Sequence, residues 1–293
     1  RMQGSRMFIE VGKRVSVQDL LMGVIVSSGN DASVALAEFI GGQEDVFAGL
    51  MNAYAEELGM LSSYYENATG LPGQQHIATA RDLATLARAI VAEFPEYYRW
   101  YGQKEFTWGK DPRTDDPIVQ PNRNKLLWRD SSVDGMKTGY TKAAGYCLVT
   151  SAQRNGMRLI SVVTGAPNEA GRFSASQALL NYSFRFFETR DVYAAGDSVE
   201  SAKVWKGDQD AVSLGVGAPV RITLPRGRAD ELEASVTVPQ TLYAPLAAGE
   251  RVGTLTIAYD GETLATAPLT VLEDVAEGGL WKRMTDSVKL WFE

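Results

Sequence analysis

Two short motifs bring together hydroxyl, amide and ammonium groups that can do acid–base and acyl chemistry. Ser28-Gly29-Asn30 stands in the context SSGNDASVALAE, and Lys137-Thr138-Gly139 in VDGMKTGYTKAAGY, 137 − 28 = 109 residues later. A hydroxyl donates and accepts, an amide presents both functions, and a lysine supplies three donors on a point charge. Either tripeptide alone is weak, while the pair in this order is far more specific. Each also has a structural reading: residues 28–30 as a loop and helix cap, residues 137–139 as a strand end with an exposed lysine. The single histidine, His76, leaves no Ser-His-Asp triad unless it serves one, and no multi-histidine metal site. The single cysteine, Cys147, excludes an intrachain disulfide and a thiolate metal cluster. Acid–base chemistry must then fall to lysine, carboxylate or hydroxyl groups. His76, in Gln74-Gln75-His76, reads as a loop histidine, and Cys147, beside Tyr146 and Leu148, as a buried strand residue.

The chain around these motifs has ordinary globular composition, 45% hydrophobic and 22% charged over 293 residues, which predicts about two domains. The net charge is 29 − 36 = −7, which argues against nucleic acid as a partner, because phosphate binding needs a basic field. Residues 17–93 read as mostly helical. Val17–Val26 is apolar-rich, Asp31–Ile40 opens with an aspartate as cap, and Asp45–Leu58 and Thr79–Glu93 carry the 3.6 period, the last with Thr79 as cap. GLPGQQHIAT is a loop, DPRTDDP a polar loop, and Val133–Lys137 a strand entry. Tyr146–Ala152 and Met157–Gly165 read as strands joined by a Gln153-Arg154-Asn155-Gly156 turn, and residues 168–187 as a helix. Residues 192–275 are short β-type runs with a turn at Asp260-Gly261, which predicts a small all-β domain after a boundary near 190. It holds no catalytic constellation.

The two ends differ. Arg1-Met2-Gln3-Gly4-Ser5-Arg6 has no apolar region of a signal peptide behind it, and Met7-Phe8-Ile9 already reads as mid-domain, so an N-terminal portion is expected to precede it. No run of 18 apolar residues exists. In residues 280–292, Trp281, Met284, Val288 and Trp291 form one helical stripe with Leu280 and Phe292 beside it, while Lys282, Arg283, Asp286 and Lys289 fall largely off it. Gly278-Gly279 reads as a flexible joint. The segment is either a terminal helix docked on its own domain or an interfacial helix lying on a membrane, and the tryptophans and basic residues suit the second.

With both motifs and both ends in view, the chain resembles the low-molecular-mass penicillin-binding proteins, the serine D-alanyl-D-alanine carboxypeptidases, over essentially its whole length. That family carries S-x-x-K, then S-x-N, then K-T-G. Its elongated form adds a C-terminal β domain and an amphipathic anchor helix. The resemblance implies an α/β (α+β) penicillin-binding, β-lactamase-like transpeptidase domain over 1–190 with its upstream part missing. A sandwich-like all-β domain would cover 191–276 and a membrane-anchor helix 277–293. It implies release of the terminal D-Ala from peptidoglycan pentapeptides through a serine acyl-enzyme that penicillins inhibit, with no cofactor. The partners implied are D-Ala-D-Ala stem peptides, β-lactams and, through 280–292, a membrane surface; the location is periplasmic, on the outer face of the bacterial inner membrane.

Carried onto this sequence, the family's pattern makes Ser28 a proton relay to the departing D-alanine nitrogen and gives Asn30 a substrate peptide group to hold. Lys137 supplies positive charge, Thr138 a hydroxyl for the terminal carboxylate, and Gly139 close approach of the substrate to the strand edge. The Tyr140 N–H would form half of the oxyanion hole, and Arg172 matches a family arginine for the carboxylate; its other reading is a surface arginine in a solvent salt bridge. The departure from the pattern is S-x-x-K, which does not occur in these residues. Truncation or a pseudoenzyme would explain this, and in either case the chain by itself is not expected to form an acyl-enzyme. A class A-like β-lactamase and a non-catalytic wall- or membrane-binding module are the competing readings. The first is disfavoured because S-G-N replaces S-D-N and no E-x-x-L-N lies between the motifs.

Overall fold

The computed structural model describes residues 2–111 and 113–291, which divide into two units, 1–184 and 185–293. In the first unit, α1 (Val17–Ile25) starts where Ser16 Oγ accepts from the Asp19 N–H at 3.0 Å. Helix α2 (Asn30–Gly41) follows a Gly29 cap that makes no side-chain bond. The expected capping role of Asp31 is therefore corrected. Asp31 lies inside the first turn, and its carboxylate accepts from the Met7, Phe8 and Ile9 N–H groups at 2.8, 2.8 and 3.1 Å, tying the N-terminal segment to the helix. Helices α3 (Glu44–Glu57) and α4 (Ala80–Glu93) come next, the latter capped by Thr79 Oγ1 accepting from the Asp82 N–H at 3.1 Å. After the short α5 (Pro95–Tyr98), strands β1 (Glu105–Lys110) and β2 (Pro117–Pro121) form a hairpin around the polar loop.

The short α6 (Leu126–Arg129) leads into an antiparallel sheet in the order β3 (Val133–Thr141), β4 (Gly145–Arg154), β5 (Met157–Ala166). Asn155-Gly156 closes the β4–β5 turn with φ of 49° and 80°, the left-handed backbone such a hairpin requires. Helix α7 (Glu169–Phe186) packs on this sheet through Phe173 and Leu180, which share a buried cluster with Leu126, Val133 and Leu148. A second cluster of Met7, Leu20, Ala32 and Leu36 joins α1, α2 and the N-terminal segment. A third, Ala87, Tyr98 and Met136, joins α4 and α5 to β3.

The second unit begins at Arg185, and its first strand β6 (Phe187–Tyr193) pairs with the strand Val220–Pro225. It continues through β7 (Ser198–Trp205), β8 (Ala211–Val216), β9 (Val220–Pro225), β10 (Glu233–Thr237), β11 (Leu242–Tyr243), β12 (Arg251–Tyr259) and β13 (Glu262–Val271). Six strands form one sheet in the order β10-β12-β13-β8-β7-β11, and β6-β9 form a second. Their facing side chains, among them Leu214, Leu224, Leu255 and Leu269, build an apolar core. Helix α8 (Leu280–Lys289) ends the described fold. Its stripe is exposed at Trp281, Met284 and Val288, as is Trp291 in the turn that follows it, while Asp286 is buried; Phe292 and Glu293 lie outside the described residues. Gly278 is no flexible joint. Its N–H donates to the Lys206 carbonyl at 2.8 Å, and a Cβ there would sit 2.5 Å from the Gly207 oxygen.

Candidate active site

The two motifs meet. Ser28 ends the tight connection between α1 and α2 with φ of 57°, a left-handed conformation uncommon outside glycine. The connection is held close to the N-terminal segment: a Cβ on Gly29 would lie 3.0 Å from the Met7 backbone nitrogen. Lys137 projects from β3, and its Nζ donates to Ser28 Oγ and, at 3.0 Å, to the Thr138 carbonyl. The sheet register that pairs Lys137 with Val149 and Gly139 with Cys147 puts Lys137 against a cavity of about 350 Å³. Its walls are apolar side chains of α1 and α4, including Val24, Leu83, Leu86 and Ile90. Burial there lowers the Lys137 pKa to about 8, helped by the positive charges of Arg123 and Arg172. The half-buried Cys147 lines the same cavity, so it is less enclosed than a core strand residue.

Arg172 is not a surface arginine. It is 5% exposed on α7; its Nη1 donates to the Gly139 carbonyl at 3.2 Å, and its Nη2 lies 3.4 Å from Glu169 Oε1. Its Nε has no hydrogen-bond partner among the described residues. The guanidinium stands 5.5 Å from the Tyr146 ring centre, and Tyr146 packs on Tyr140 at 4.3 Å. Thr138 is buried, Gly139 and Tyr140 are exposed, and β3 is the edge strand of its sheet. An extended peptide can therefore add to that edge beside a cationic corner made by Lys137 and Arg172. Asn30 opens α2 two residues after Ser28, but its Nδ2 donates to the Gln3 carbonyl at 2.8 Å, so the amide expected to hold substrate is engaged by the N-terminal segment.

Two features escaped sequence reasoning. Arg123 sits between the buried Asn122 and Asn124, and its Nε donates to the Ser27 carbonyl at 3.4 Å. Asn122 binds the Tyr101 and Gln103 carbonyls, and Asn124 binds the Gly135 carbonyl at 3.0 Å, so these amides fix the backbone on both sides of the arginine. The only cue in sequence is an arginine flanked by two asparagines, which has many meanings. The second feature is the support under β3. Tyr98 OH donates to Asp134 Oδ1 at 2.6 Å, and Arg158 Nη1 donates to Asp134 Oδ1 at 2.9 Å and Ser151 Oγ at 2.6 Å. Burial, with that carboxylate bond second, pushes the Tyr98 phenol well above its ordinary value. His76 accepts from the Glu66 N–H at 3.3 Å and packs edge-on against Tyr65, a loop role away from the site.

Taken together, these groups can activate a hydroxyl, carry a proton and hold an anionic peptide end. Comparison with known proteins points the same way. A D-alanyl-D-alanine carboxypeptidase family profile matches residues 1–168, and one for the C-terminal domain of penicillin-binding protein 5 matches residues 187–277. D-alanyl-D-alanine carboxypeptidase DacC of Escherichia coli is 44% identical over 290 residues, covering 98% of this chain and 71% of that protein. The crystal structure of penicillin-binding protein 5 from Haemophilus influenzae is similar with a TM-score of 0.79 at 42% identity, covering 94% of this chain and 78% of that one. Penicillin-binding protein D2 of Listeria monocytogenes, solved in an ampicillin-bound form, is similar with a TM-score of 0.56 at 31% identity, over 63% of this chain and 74% of that one.

Proposed function

The chain belongs to the serine D-alanyl-D-alanine carboxypeptidase family, and from that premise we propose that its site removes the terminal D-alanine of peptidoglycan pentapeptides through an acyl-enzyme. The observation that carries this reading is the hydrogen bond between Lys137 Nζ and Ser28 Oγ, which joins S-G-N to K-T-G across 109 residues. The nucleophilic serine and its lysine belong to an S-x-x-K motif that these 293 residues do not contain. On that serine, attack at the penultimate D-Ala carbonyl carbon forms the ester as the C–N bond breaks. Ser28 passes a proton to the departing amine, and water later cleaves the ester. Lys137, Thr138 and Arg172 hold the terminal carboxylate, with the substrate backbone along Gly139 and the oxyanion at the Tyr140 N–H. Arg123 adds a further positive charge beside Ser27 and Ser28.

A β-lactam would occupy the same edge, as supported by the ampicillin-bound Listeria relative. The exposed stripe of α8 supports a peripheral position on a membrane surface; the family reading places that surface at the outer face of the inner membrane, with the β domain as a spacer. The test compares this chain with the same chain preceded by a segment carrying S-x-x-K. The longer polypeptide is expected to release D-alanine from a D-Ala-D-Ala peptide and to label with fluorescent penicillin, and the 293 residues alone to do neither. A longer polypeptide that stays unlabelled overturns the enzyme reading and leaves the binding-module one.

A further inference from the structure

Helix α8 is an amphipathic helix held to its domain by the wrong face for a soluble protein. A helix that docks for stability buries its apolar stripe. Here Trp281 and Trp291 are 82% and 91% exposed, Met284 and Val288 are exposed with them, and the buried residue is Asp286, at 2%. A carboxylate so enclosed needs donors. Its Oδ2 accepts from the Lys206 N–H at 2.8 Å, and its Oδ1 lies 3.4 Å from Lys282 Nζ, which also pairs with Asp210. Lys206 has φ of 60°, and it lies in the loop between β7 and β8 with Asp208 and Asp210. The same loop grips the chain before the helix. Gly278 N–H donates to the Lys206 carbonyl at 2.8 Å, Asp208 N–H to the Ala276 carbonyl at 2.9 Å, and Arg283 closes back on Glu277 at 2.8 Å. Gly207 and Gly278 permit this approach, since a Cβ on Gly278 would meet the Gly207 oxygen.

We propose that the β7–β8 loop and Asp286 form a latch that fixes α8 on the β domain, so that its apolar stripe is a pre-oriented docking face for an anionic lipid surface. This rests on the membrane reading above and deepens it: the helix is no tethered hook but part of a rigid face. The partner follows from the chemistry of that face. The stripe is two tryptophans with Met284, Val288 and Leu280, the pattern that buries aromatic rings at a headgroup boundary; Lys289 beside it adds attraction to anionic charge, while Lys282 and Arg283 are held by Asp210, Asp286 and Glu277. Binding then proceeds without ordering the helix anew, which removes a cost that a flexible anchor bears.

The test measures the latch and the partner separately, on the full chain and on Asp286→Ala, Asp286→Asn and Gly278→Val. In solution, amide exchange at Lys206 and trypsin cleavage after Lys282 and Arg283 report the latch. Asp286→Ala and Gly278→Val are expected to speed both by tenfold or more. Asp286→Asn keeps an acceptor for the Lys206 N–H and should restore most of the protection. Equal exchange in all four proteins overturns the latch. Co-sedimentation with phosphatidylglycerol-containing vesicles reports the partner. The full chain is expected to bind with the Lys206 amide still protected, and loss of that protection on the vesicles means the helix swings free and overturns the proposal. Absence of vesicle binding overturns the lipid assignment and the membrane reading together, whatever the exchange data say of the latch. Concentration-dependent dimers that vanish when α8 is removed assign the face to a second copy instead.

Discussion

At Lys137 an ammonium is packed against apolar side chains of α1 and α4 with two arginines nearby, and its pKa falls to about 8. An unfolded lysine titrates near 10.5. Between pH 8 and 10.5 the unfolded chain therefore binds more protons than the folded one, and stability rises with pH across that window. The destabilisation from holding the charge is full below pH 8. Lys137→Met should be more heat-resistant than the parent at pH 7, with the gap in melting temperature closing by about pH 10.5. A gap that does not change with pH would mean that the lysine is solvated. The proposed mechanism requires the same group for activity. In the S-x-x-K-bearing polypeptide, Lys137→Ala should lower kcat/KM by about 10²–10³, the usual loss for one preorganised electrostatic group. A loss under threefold would return the lysine to a strand-end role. Ser28→Ala should slow both acylation and deacylation in the same polypeptide, because both use a proton at the same point; unchanged turnover would leave Ser28 only its place in the loop.

The element that matters most is β3, an edge strand whose exposed end must present Thr138 and Gly139 at a fixed height. Its other end is pinned by polar groups rather than by packing alone. Asn124 is fully buried, with Nδ2 on the Gly135 carbonyl and Oδ1 accepting from the Leu126 N–H. Tyr98 and Arg158 share Asp134. Asn124→Ala leaves two backbone groups without partners and should cost about 1–3 kcal/mol for each. Tyr98→Phe removes the bond to Asp134 and a long one accepted from Arg158 at 3.4 Å, but it leaves Asp134 its arginine and Arg158 its other acceptors, so about 1 kcal/mol is expected. Urea unfolding of both variants checks the order; a Tyr98→Phe loss equal to that of Asn124→Ala would show that the phenol, not the amide, holds the strand. Thr79 and the Asn155-Gly156 turn behave as their sequence indicates, because a cap and a two-residue turn are settled within four residues.

On the scale of the whole molecule, the chain joins a peptidase domain to a β domain whose last helix turns its tryptophans to solvent. Removing 280–293 should abolish co-sedimentation with anionic vesicles. Lys289 beside the stripe adds to the apolar contribution, so binding should weaken between 0.1 and about 1 M salt as the screening length falls from about 10 to about 3 Å, yet not vanish. Binding that disappears at high salt would mean that charge alone attracts the protein. Vesicle binding unchanged by the truncation would place the lipid contact elsewhere.

Short-range signals carried much of this protein into its sequence. The two tripeptides, the period of α4, the hairpin at Asn155-Gly156, the alternating strands after 190 and the stripe of α8 are all properties of a few neighbouring residues. They carried the family resemblance, and it is the resemblance that implied the fold class and made Ser28, Lys137, Thr138, Gly139 and Tyr140 site candidates. What they left open were contacts between distant segments. Asp31 looked like a cap but binds three N–H groups some 22 to 24 residues away. Asn30 is engaged by Gln3, Arg123 reaches Ser27 across 96 residues, and Arg172 is buried against Gly139. Asp286 falls off the apolar stripe in sequence and is the helix's attachment point, 80 residues from Lys206. In each case the side chain's partner is a backbone group. Every residue carries such groups, so no residue type marks the partner in sequence, and only the packing of helix on loop and strand on helix selects which one is met.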